Sequence, residues 1–239
     1  LHILAIGLND YAAPNLHTLQ YAEADAEAIV DTFVKRHQYT FNNINKTVLL
    51  GKDVSRNSIE RAIETISEAG PNDLAVIFFA GHGLVDSRNY YLATSEVKDA
   101  DRPNIGGLSA TLFKEKISYI TCKLIVFIDA CHSAKIFDSY RGNDFFKELQ
   151  TARNGTSIYT SSSPDEKSRE NPNSGHGYFT QALLEACDFD KSDTDGDGRI
   201  TIKEIRNYLE RRIPELTNKG QTPVYRNLEE TDYSVFFKQ

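Results

Sequence analysis

The chain has 239 residues, 40% apolar and 26% charged, which suits one large α/β domain with a substantial core. Its formal net charge of −7 argues against a nucleic-acid surface, and no apolar run reaches the length of a membrane span. The three cysteines (Cys122, Cys131 and Cys187) are odd in number and form no CxxC pair. That pattern excludes a disulfide framework, offers no zinc site and suits a reducing, cytoplasmic compartment.

Residues 2–8, HILAIGL, read as a first strand, and an opening of this kind is not a signal peptide. A helix over 19–37 follows, with Leu19, Ala22, Ala26, Ile29, Val30 and Phe33 on one face. A short strand at 46–51 precedes a helix capped by Ser55 and stopped at Gly70-Pro71. The run DLAVIFFAG (73–81) is a wholly apolar strand, and NYYLAT (89–94) reads as a small additional one. A helix beginning near Ser109 leads to a second wholly apolar strand at 123–130. Strands at 156–162 and 233–237, with helices at about 178–187 and 202–212, complete the chain. Strands without polar alternation, separated by helices, predict a mainly parallel sheet of about six strands covered on both faces. In such sheets ligands bind beyond the carboxyl ends of the strands. The reading is a single domain over 1–239. The lack of any methionine suggests a module of a longer parent chain with further domains.

Two strands end in chemistry. The first runs into Gly81-His82-Gly83, and the second into Asp129-Ala130-Cys131-His132-Ser133. A lone cysteine is usually a small core residue, which serves for Cys122 and Cys187. Cys131 instead falls in a polar cluster at a strand's carboxyl end, where a histidine on a neighbouring parallel strand could activate its thiol. His132 adjoins Cys131, and neighbouring side chains at a strand end tend to point apart, which makes it a poor base; His176, in a second GHG, precedes a helix rather than ending a strand.

The two boxes, FFAGHG and IDACHS, lie about 49 residues apart and resemble the His and Cys boxes of caspase-like cysteine peptidases. Asp-Ala-Cys-His-Ser differs from the Gln-Ala-Cys-Arg-Gly box of animal caspases and is similar to that of metacaspases and bacterial orthocaspases. The opening ILAIGLNDYAAPNLHTLQYAEADAEAI and the later SSSPDEKSRENPNSGHGYFTQALLEA look like further parts of that family. The resemblance implies a caspase-like fold, with a large-subunit-like part over about 1–140 and a small-subunit-like part over about 154–239. It also implies a polypeptide substrate attacked by Cys131 through an acyl-enzyme, with His82 moving protons. The backbone N–H groups of Gly83 and Cys131 would form the oxyanion hole. By the same resemblance Asp25 and Asp129 line the S1 pocket and select arginine, or lysine, since a guanidinium can satisfy two carboxylates. Loop 133–156 then offers Lys135, Arg141, Lys147 and Arg153 as self-cleavage sites.

The chemistry requires no cofactor. However, DTDGDGRITIKE matches the EF-hand calcium loop at each liganding position: Asp193, Asp195, Asp197, Arg199 through its carbonyl, Thr201 and Glu204. A tight turn with a helix cap explains the same residues without an ion, and no second loop pairs with it. Two rivals to the peptidase follow: a catalytically silent caspase-like scaffold, and a calcium-regulated interaction module. Neither partner class includes nucleic acid or membrane.

Overall fold

The computed structural model describes residues 1–86, 89–130, 155–163, 166–227 and 232–238. Its centre is a six-stranded sheet built from β1 (His2–Gly7), β2 (Asn45–Leu50), β3 (Leu74–Ala80), β7 (Lys123–Asp129), β8 (Thr156–Thr160) and β12 (Val224–Asn227). The strands lie in the order β12-β8-β7-β3-β1-β2. Five run parallel, and β12 closes one edge antiparallel to β8.

The absence of alternation in the central strands has a direct cause. Val76, Phe78 and Ala80 of β3, with Ile125 and Phe127 of β7, face α1 (Ala22–His37), α4 (Tyr178–Ala186) and α6 (Ile202–Leu216). Ala75, Ile77 and Phe79, with Leu124, Val126 and Ile128, face α2 (Arg56–Ser67) and α3 (Ala110–Ile117) on the other side. Side chains alternate in direction, and both directions meet apolar helix faces.

The expected caps are present. Ser55 accepts a hydrogen bond from the Ser58 N–H at 3.0 Å, and Ser109 one from Leu112 at 3.2 Å. Helix α1 begins at Ala22, three residues later than the periodicity suggests, and the N–H groups of Gln20 and Tyr21 just before it donate to Glu170. The sixth strand of the sheet is β12, which the sequence reading passed over. The expected strand at 233–237 forms as β13 (Ser234–Phe237) but pairs antiparallel with β11 (Arg199–Thr201), outside the main sheet. Residues 90–92 form β5 (Tyr90–Leu92), the middle of a separate antiparallel sheet with β4 (Gly83–Val85) and β6 (Leu108–Ser109). Among the described residues no helix is long and apolar enough to cross a membrane.

Candidate active site

Strands β3 and β7 stay in register to their last pair, Ala80 with Asp129, and the Gly81 N–H still donates to the Asp129 carbonyl at 3.1 Å. Their polar residues therefore emerge at one end of the sheet, side by side. Gly81 is required by a close approach: a Cβ there would lie 2.9 Å from the Tyr11 hydroxyl. That hydroxyl accepts from the His82 N–H at 2.8 Å, and the Tyr11 ring packs against the His82 ring at 4.8 Å.

His82 is 4% exposed, and burial lowers its pKa. Its Nε2 lies 2.7 Å from the His17 carbonyl oxygen. A carbonyl can only accept, so Nε2 carries the hydrogen and Nδ1 holds the lone pair of the neutral ring. His82 is thus fixed at both backbone and ring, in the uncharged form a general base needs. The Ala93 N–H donates to the His82 carbonyl at 2.9 Å, which makes Gly83 and Leu92 the non-hydrogen-bonded pair of the β4–β5 ladder. The Gly83 N–H therefore points away from β5.

Cys131 lies outside the described residues, as do His132, Lys135, Arg141, Lys147 and Arg153. The residue before Cys131 is firmly held. The Ala130 N–H donates to Ser161 Oγ at 3.1 Å, and the Ala130 carbonyl accepts from Ser161 and Ser162, each at 3.2 Å.

Asp25 and Asp129, 104 positions apart in sequence, meet beside Gly177. Both are buried, at 3% and 7% exposure. Asp25 accepts from the Gly177 N–H at 3.0 Å and pairs with His176 Nδ1 at 2.6 Å. Asp129 accepts from Thr180 Oγ1 at 3.0 Å and from the Ser168 hydroxyl. Asp25, Asp129, Ser168, Arg169, Glu170 and Gly177 line one small pocket together with His82. Burial, and then the neighbouring charge of Asp25, pushes the Asp129 carboxyl up to about 6. Burial raises Asp25 as well, opposed chiefly by its bond to His176. Two buried carboxylates this close make a site that favours a cation.

The residues that hold these carboxylates were not visible in the sequence. Ser161, Ser162, Ser168 and Thr180 are ordinary hydroxyls in TSSS, KSR and YFT, with no spacing that marks them. Gln221, fully buried, ties the Ser168 loop down: its Nε2 donates to the Ser161 carbonyl at 2.7 Å, and its Oε1 accepts from the Arg169 N–H at 3.2 Å.

The second motif forms a turn whose three aspartates converge. The ligand atoms of Asp193, Asp195 and Asp197 lie within 4.8 Å of one another, and Asp193 Oδ1 is buried with no hydrogen-bond partner among the described residues. These three fit a hard cation such as calcium. Glu204 does not join them. Its Oε1 accepts from the Thr194 N–H and hydroxyl, at 2.8 and 2.9 Å. Its Oε2 accepts from the Thr201 N–H and hydroxyl, at 2.9 and 3.1 Å. Thr201 and Glu204 form the capping box of α6, and Arg199 opens β11.

A mostly parallel sheet with a buried histidine just past the end of one strand, and beside it a strand that ends at Asp129, defines a caspase-like α/β domain. The family model described as the caspase domain, Peptidase_C14, matches residues 2–233, so the chain belongs to that family of cysteine peptidases, whose substrates are polypeptides. Among solved structures the chain is similar to protein GSU0716 from Geobacter sulfurreducens, with a TM-score of 0.68 at 20% identity. The match covers 99% of this chain and 96% of that one, a likeness of fold alone. No curated protein matches the sequence.

Proposed function

We propose that the chain is a cysteine endopeptidase that cuts polypeptides after arginine, with lysine as second choice. The observation that carries this reading is the convergence of Asp25 and Asp129 on a pocket that His82 also lines. A P1 guanidinium would lie between two carboxylates while its carbonyl carbon reaches the residue after Ala130.

In the proposed reaction His82 Nδ1 accepts the thiol proton of Cys131, and Sγ adds to the carbonyl carbon. The N–H groups of Gly83 and Cys131 hold the oxyanion. The imidazolium returns its proton to the leaving amine as the C–N bond breaks, leaving a thioester. Water, deprotonated by His82, then hydrolyses that thioester and frees Sγ. A raised Asp129 pKa suits this pocket: the carboxylate is costly to bury alone, and an arriving cation relieves the cost.

The test is turnover of fluorogenic peptides ending in Arg, Lys or Asp, with and without calcium, and with Cys131→Ala as blank. Cleavage after Arg that vanishes in the variant is expected. Cleavage after Asp would overturn the pocket assignment, and no cleavage under any condition would favour a silent scaffold.

A further inference from the structure

His176 takes no part in the chemistry proposed above, yet it makes the shortest polar contact to a pocket carboxylate that carries a possible positive charge. It stands behind Asp25 and does not line the pocket. Resting on the basic-pocket reading, we propose that His176 is a positioning residue that sets the pocket's charge. As an imidazolium it neutralises Asp25, and of the two carboxylates that meet beside Gly177 it leaves Asp129 to face a single P1 cation.

The geometry is specific. Strand β10 (His176–Gly177) delivers two donors to Asp25, the His176 ring to Oδ1 and the Gly177 N–H to Oδ2. The same glycine backs onto Asp129. Among the described residues packed around His176, Asp25 is its one ionic partner. From β9 (Glu170–Asn171), Glu170 turns its carboxylate to the N–H groups of Gln20 and Tyr21. From α4, Gln181 is uncharged and bonds Asn171, while Thr180 bonds Asp129. From α1 Asp25 reaches the ring, and Asp129 of β7 lies across Gly177. The side chain of His176 is 25% exposed, so protons reach it from solvent. The Asp25 carboxylate raises its pKa, which keeps the pair charged to higher pH than a free imidazole.

Two consequences separate this role from a purely structural one. As His176 loses its proton with rising pH, the pocket gains a full negative charge and binds a guanidinium more tightly. Replacing His176 by Asn keeps a neutral donor near Asp25 and removes the part of the pH dependence that follows the imidazole, leaving the part that follows the Asp129 carboxyl, which burial holds at about 6.

The experiment uses histidine-labelled protein and magnetic resonance from about pH 5.5 to 8.5, the window in which imidazoles titrate. It follows the His176 ring and the affinity for Nα-acetyl-argininamide, with Nα-acetyl-citrullinamide as the uncharged comparison. Wild type should bind the arginine probe more tightly as His176 deprotonates. H176N should bind it about tenfold more tightly than wild type at neutral pH, with citrulline binding unchanged. An affinity in wild type that stays flat through the His176 titration would overturn the proposal, and needs no variant to fold. So would an H176N affinity within about twofold of wild type, the loss of discrimination in D129N then showing that the pocket reading itself survives. Equal binding of the two probes in wild type, unaltered by D129N, would instead sink the basic-pocket reading.

Discussion

Gly177→Ala adds one methyl group where the two pocket carboxylates meet. The glycine has φ −60° and ψ 147°, a conformation open to any residue, so the backbone imposes no penalty on alanine. The obstacle is steric: the new Cβ would lie 2.5 Å from Asp129 Oδ2 and 3.2 Å from Asp25 Oδ2. Asp129 cannot simply swing aside, because Ser168 and Thr180 hold both of its oxygens. Overpacking of this kind costs about 1–3 kcal/mol. For a chain of this length that is a fall in Tm of about 3–10 °C. The displacement also separates the carboxylates, so KM for a P1-Arg peptide should rise about tenfold while the citrulline analogue is little affected. Thermal melts and the two KM values, measured on the same preparation, check both halves. Wild-type stability together with wild-type arginine preference would refute the claim that the carboxylates meet at this glycine.

Burial presses the His37 pKa down to about 4, and neither ring nitrogen has a hydrogen-bond partner among Phe33, Phe41 and Phe236. Its unfolded value is near 6.5, so the unfolded chain takes up a proton that the folded chain refuses. Stability from this residue is intact above about pH 6.5 and declines as pH falls toward 4, by a ceiling of about 3 kcal/mol. Urea unfolding at pH 7 and pH 5 should show that decline, and His37→Phe should remove the share due to His37, leaving that of the buried His82. In native protein, iodoacetamide should modify Cys131 alone, as peptide mapping would reveal. Cys122 and Cys187 are buried, and burial pushes the Cys187 thiol up to about 12. Calcium added to the Asp193 turn should bind weakly, with a Kd on the order of 10⁻⁴–10⁻³ M by calorimetry. Bidentate ligation by Glu204 would break the capping box, a loss of about 1 kcal/mol. Submicromolar binding would show that Glu204 leaves the cap.

Much of the architecture can be read from residues alone, because its causes are local. Apolar runs without alternation at 73–81 and 123–130 require helices on both faces, and both faces are covered. Ser55 and Ser109 announce their helices because a cap bonds an amide only three positions away. His82 is marked by its place between glycines at a strand end, whereas Asp129 is singled out only by the resemblance of its box to that of metacaspases.

Tertiary structure decided what depends on pairing between distant segments. Strand β12 has four residues and no apolar pattern, and it becomes a strand because β8 offers an open edge. The strand at 233–237 has the right composition for the main sheet, but it finds β11 instead. The meeting of Asp25 with Asp129 belongs to the same class. One sits on a helix and the other ends a strand, and they converge because α1 packs across β1 and β3 while Gly177 leaves room for both. Sequence supplies the two carboxylates as separate acids with ordinary affinities for protons. Only their shared burial, with His176 held against one of them, turns them into a coupled pair, since desolvation and charge repulsion act through space and not along the chain.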